Sequence, residues 1–119
     1  MNEKMTSRAA KATKRYLELR GFEILEEGWS HGADTADFIA IDGESGDLVI
    51  LFAEASRNAG EGFPDTEADR KAFERLAAAY LAETEYIDVA VRLDIVSLLV
   101  VGDDRALIRH CSNAAMQVG

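Results

Sequence analysis

The chain has little of what most small functional sites are built from. Cys111 is the only cysteine in 119 residues, which excludes an internal disulfide and a clustered cysteine metal site. A buried, inert thiol is its expected role. The two histidines, His31 and His110, are far apart in sequence and lack the spacing of a zinc pair. Pro64 is the sole proline and 29% of residues are charged, so neither low complexity nor disorder is indicated over most of the length. No apolar run approaches the roughly 18 residues that cross a bilayer. The opening Met1-Asn2-Glu3-Lys4 is too polar for a signal peptide, so a cytoplasmic protein without membrane contact is expected. No phosphate-cradling glycine loop or Ser/His/Asp set is visible. Positive charge is also short: 13 Lys and Arg face 22 Asp and Glu, a net charge of -9. Composition therefore does not imply the basic surface that grips phosphate backbones.

The chain is well supplied with apolar residues, 48% of the total, enough for one compact domain over residues 1–119. The scarce cations cluster, with Lys4, Arg8, Lys11, Lys14, Arg15 and Arg20 near the start and Arg70, Lys71 and Arg75 later. Either a local basic face or ordinary solvated helix faces would give this pattern.

Periodicity divides the chain into alternating elements. Thr6 or Ser7 caps a helix to about Arg20 whose apolar side carries Ala9, Ala12, Thr13, Tyr16 and Leu17, and Gly21 ends it. A strand follows from Phe22 to Trp29, irregular at the consecutive Ile24 and Leu25, then a loop over Ser30–Asp34. Thr35–Ile41 and Leu48–Glu54 read as strands joined by the Gly- and Asp-rich turn Asp42–Asp47, an antiparallel hairpin. Residues 57–65 read as an irregular loop, and Thr66 as the cap of a second helix with Phe73, Leu76, Ala77, Tyr80 and Leu81 on its packing face. Ile87–Val101 has the pattern of a central strand, and Ala106–Ile108 of a short last one. Strands grouped before a helix and joined by another after it indicate an α/β sandwich with helices flanking a central mixed sheet.

Asp37 and Glu54 are the informative polar residues of this pattern, since each interrupts an apolar strand where a lone carboxylate is costly to bury. On adjacent strands the pair could hold a divalent metal ion. Position 56 shares a strand face with Glu54, and a metal-dependent nuclease of this layout carries lysine there; this chain has Ser56. The competing account makes both carboxylates polar strand ends, solvated or paired with Arg57, Arg92 or Lys71. Asp94, beside Arg92, is expected to be a buried structural carboxylate with a local partner. Trp29, Tyr16 and Tyr80 fall on apolar faces and are expected to pack.

An ordered set of segments resembles the bacterial YraN-like family: Arg15-Tyr16-Leu17 with Arg20-Gly21-Phe22-Glu23-Ile24-Leu25, Ala36-Asp37-Phe38-Ile39-Ala40, Phe52-Ala53-Glu54, Arg70-Lys71 through Leu81, Arg92-Leu93-Asp94-Ile95-Val96, and Ile108-Arg109-His110 with Asn113-Ala114. That group is uncharacterised, has a restriction-endonuclease-like fold and is related by fold to Holliday-junction resolvases. The resemblance implies that Asp37 and Glu54 stand at the family's metal-binding aspartate and at the glutamate of its Glu-x-Lys element, with Mg²⁺ or Mn²⁺ as the metal if the site is active. It also implies losses. Ser56 replaces the lysine, Ala10 stands where the first helix tends to carry glutamate, and Thr35 where an acidic residue precedes the aspartate.

Metal-assisted phosphodiester cleavage needs a metal ion to polarise the phosphate and a cation to steady the water and the developing charge. Ser56 cannot supply the cation, a loss of about 3 to 4 kcal/mol in the barrier, or roughly 100- to 1,000-fold in rate. Lys71 is the candidate for a relocated cation, whereas Arg57 should point to the other face. Three functions stay open: a catalytically degenerate nuclease fold serving as a nucleic-acid-binding or interaction module, a weak metal-dependent endonuclease on branched or structured DNA, and a protein-interaction domain, including a homodimer, without nucleic acid.

Overall fold

A computed structural model describes residues 7–57, 69–85, 88–102 and 105–114. The element order is α1 (Ser7–Leu19), β1 (Phe22–His31), β2 (Asp34–Asp42), β3 (Leu48–Ser56), α2 (Arg70–Glu83), β4 (Val91–Val100) and β5 (Ala106–Cys111). The strands form one sheet in the order β1-β2-β3-β4-β5. Only β3 and β4 are parallel, with α2 between them in the chain; the other pairings are antiparallel. This is the α/β sandwich with a mixed sheet that the sequence pattern indicates, and it is compatible with a restriction-endonuclease-like arrangement.

Each helix covers its own face of the sheet, and β3 shows why. Its odd positions Val49, Leu51, Ala53 and Ala55 pack in one cluster with Ala9 and Leu17 of α1. Its even positions Leu48, Ile50 and Phe52 pack in another with Leu76, Ala77 and Tyr80 of α2. Successive side chains of a strand point to opposite faces, so a strand apolar at both parities is covered on both sides. Leu17 and Leu76 are each 0% exposed. Truncating either to alanine would cost about 2–5 kcal/mol, since a cavity is left as well as lost transfer energy.

Several boundaries differ from the sequence reading. The first strand runs on to His31, and Asp34 already belongs to β2, so the expected loop over Ser30–Asp34 shrinks to a turn at Gly32 and Ala33. Its irregularity is a register shift between Ile24 and Glu26 against β2, which accounts for two consecutive apolar residues there. The second helix is capped by Asp69, whose carboxylate accepts from the Ala72 N–H at 3.0 Å; Thr66 and, apart from Arg57, the expected loop over 57–65 lie outside the described residues. The central strand starts at Val91, and the last continues to Cys111. Cys111 is only partly buried.

Gly21 adopts φ +91° at the end of α1. Its carbonyl accepts from the Gly43 N–H at 3.0 Å. A Cβ on Gly43 would lie 2.5 Å from that oxygen, so a glycine is required where these two turns meet. Among the described residues no helix is long and apolar enough to cross a membrane.

Candidate functional site

The sheet forks between its second and third strands. Pairing of β2 with β3 covers Phe38 to Ile41 against Leu51 to Leu48 and goes no further. Beyond that point Asp34–Ala36 stay with β1, while Phe52–Ser56 stay with β4. Asp37 sits at the vertex. Its Oδ2 accepts the Ala53 N–H at 2.8 Å, so the carboxylate takes the place of a backbone carbonyl where the ladder stops. Glu54 and Ser56 lie on the β3 arm, at the parity that faces α2. Glu54 is half-buried and Ser56 is 4% exposed.

The fold thus brings Asp37, Glu54 and Ser56 to one fork. Lys71, in the first turn of α2, is exposed, and among the described residues it forms no ion pair with either carboxylate. Asp34, the acidic residue next to Thr35, binds Arg75, at 2.6 Å from Nε and 2.9 Å from Nη2. That guanidinium holds the Asp34 carboxyl below its ordinary range.

Asp37 and Glu54 are a carboxylate pair of the kind that, with waters and phosphate oxygens, could hold Mg²⁺ or Mn²⁺. One oxygen of Asp37 also accepts the Ala53 amide, which fixes the orientation of the carboxylate. Among the described residues no three His, Cys, Asp or Glu side chains stand close enough together to hold a metal ion.

A second polar cluster is larger than sequence reasoning indicates. Asp94, 0% exposed on β4, receives Arg92 Nε at 2.9 Å and Nη2 at 3.1 Å, the Asn113 N–H at 2.9 Å, and His110 Nε2 at 2.8 Å. A carboxylate only accepts, so His110 Nε2 carries the proton, and in the neutral ring Nδ1 accepts from the Tyr16 hydroxyl 3.0 Å away. Arg92 extends the cluster to Asp42 at 2.8 Å and Asp47 at 3.1 Å, and lies over the Phe22 ring. Burial pushes the Asp94 carboxyl up, but the bonds from His110, Arg92 and the Asn113 amide outweigh it and hold the group below the usual range. Burial likewise pushes the Tyr16 hydroxyl up. The Arg-x-Asp spacing on one strand face announces the first link; the links to His110 and Tyr16 join residues 16 and 94 positions apart and have no local signal. With the His110, Arg92 and Asp94 side chains 10%, 14% and 0% exposed, the cluster holds the fold and offers no opening to a substrate.

The aromatic residues pack as expected: Trp29 meets Tyr80 edge-on at 5.1 Å, and Tyr16 meets His110 at 5.7 Å. His31 stacks on Trp29 at 6.2 Å.

No family model matches the chain. Similarity to individual proteins is clearer. A UPF0102 protein of Beutenbergia cavernae is 31% identical over 99 residues, covering 81% of this chain and 82% of the relative. The chain belongs to the UPF0102 family. A UPF0102 protein of Renibacterium salmoninarum is 29% identical over 98 residues, covering 80% and 81% of the two chains, and one of Chlorobaculum parvum is 30% identical over 99 residues, covering 81% and 75%. UPF0102 is the YraN-like, nuclease-like group that the ordered segments resemble.

Proposed function

We propose that this UPF0102 protein is a catalytically degenerate member of a nuclease-like family that binds nucleic acid through the nuclease fold without cutting it. The observation that carries the reading is the fork: it retains Asp37 and Glu54, but Asp37 serves as a backbone acceptor and Ser56 occupies the lysine position. Cleavage chemistry at such a site needs a preorganised cation beside the reacting phosphate, and the serine hydroxyl offers only a neutral dipole. What survives is a scaffold whose Asp37 carboxylate helps to hold the sheet.

Incubation with supercoiled plasmid and four-way junction DNA in Mg²⁺ or Mn²⁺ is expected to leave both intact. Retention on DNA at low salt, weakening steeply as salt is added, is the expected signature of binding. Metal-dependent cutting that vanishes in Asp37→Ala would establish the second reading, a weak endonuclease on branched or structured DNA, which the shared location of Asp37 and Glu54 favours. Absence of any salt-dependent retention would leave a protein-interaction role, a homodimer included.

A further inference from the structure

A hollow of about 340 Å³ opens between the first turns of α1, the end of β3, the end of β4 and the start of β5, and none of its lining residues is one of the fork carboxylates or a member of the Asp94 cluster. Its volume lies in the lower part of the range of small-molecule sites. The lining is of two kinds. Ala9, Leu98 and Ile108 give it an apolar floor that continues the cluster beneath α1. Arg8, Arg57 and Arg105 reach it from three separate elements. Among the described residues it has no Asp or Glu in its wall, although the chain holds 22 of them against 13 Lys and Arg. Arg57 and Arg105 are exposed and enter no ion pair among the described residues.

Arg57 and Arg105, without an ion pair among the described residues and set beside an apolar floor, are arranged for an anion with an apolar body. One carboxylate is satisfied by a single arginine fork, whereas a phosphomonoester carries about -1.5 to -2 charge and three acceptor oxygens, enough for several. We propose that this hollow binds a phosphomonoester, its phosphate held by Arg57 and Arg105 and its compact apolar or aromatic body resting on Leu98 and Ile108. The floor offers no side-chain donor or acceptor, so the body is selected by size and not by hydrogen-bond pattern. Such a ligand is a free small phosphate ester or the phosphorylated 5′ end of a strand. The strand-end source rests on the nucleic-acid reading above; the free one does not.

Calorimetric titration of the full chain with adenosine 5′-monophosphate, inorganic phosphate and adenosine tests the site. The mononucleotide is expected to bind saturably, about tenfold or more tighter than either fragment. Arg57→Gln and Arg105→Gln are each expected to weaken it roughly tenfold. Ala106→Trp, which fills the hollow and keeps every charge, is expected to abolish binding, with thermal unfolding curves confirming that the variants fold. Competition by a 5′-phosphorylated oligonucleotide but not by its 5′-hydroxyl form assigns the strand end; competition by neither assigns the free ester. Three results would overturn the proposal: no saturable binding at millimolar mononucleotide, binding no tighter than that of inorganic phosphate, or binding unchanged in all three variants.

Discussion

Arg92 lays Nε and Nη2 against the two oxygens of Asp94, at 2.9 and 3.1 Å, from two positions earlier on the same strand. Removing Asp94 takes away the shared buried acceptor of Arg92, His110 and the Asn113 N–H at once. Asp94→Ala is expected to lower stability by about 3–5 kcal/mol, read as a shift of the urea midpoint with unchanged slope. A loss under 1 kcal/mol would mean that the cluster is not what secures β4.

The same carboxylate sets an acid limit. Its folded-state pKa lies below the unfolded value of about 3.9, so its contribution is complete above that pH and is lost as pH falls through the folded value. Asp42 behaves alike: burial raises it, and the Glu44 amide and Arg92 more than compensate. The melting temperature is therefore expected to drop steeply below about pH 4. Asp94→Asn should melt lower at neutral pH and lose less on acidification; parallel curves for the two proteins would refute the assignment.

Asp37 makes a prediction that separates architecture from chemistry. Asp37→Ala leaves the Ala53 N–H without its acceptor at a cost of about 1–3 kcal/mol, whereas Asp37→Asn retains an oxygen there and should cost less than half of that. Amide exchange at Ala53 is the direct readout, fast in the alanine variant and protected in the asparagine one.

Ser56 tests whether a cation at that position governs cleavage. If its identity is what silences the fork, Ser56→Lys should raise Mn²⁺-dependent nicking of plasmid DNA by roughly 100-fold or more over the parent. The same background in both proteins would show that the lysine position is not what limits cleavage.

Much of the fold is readable from local pattern because its elements are governed by periodicities of 2.0 and 3.6 that neighbouring residues carry themselves. The β3 alternation, the α2 stripe through Leu76 and Tyr80, and the Gly21 stop are of that kind. The start of α2 is not, since Thr66 and Asp69 are both good caps and tertiary packing chooses between them. The site was legible in part. Asp37 and Glu54 stand out as carboxylates in apolar strands, but that Asp37 would spend an oxygen on Ala53 depends on where two strands part, which no single strand's pattern encodes. His110 and the arginine-rimmed hollow escape for the same reason: their partners are assembled from α1, β4 and β5.

The fork has a bearing on how such a protein can change. Residues on its two arms are paired on one side only, Asp34–Ala36 with β1 and Phe52–Ser56 with β4, so their backbone is held less closely than that of Phe38–Ile41. A scaffold with that kind of slack can exchange the side chains at its fork while its outline stays the same.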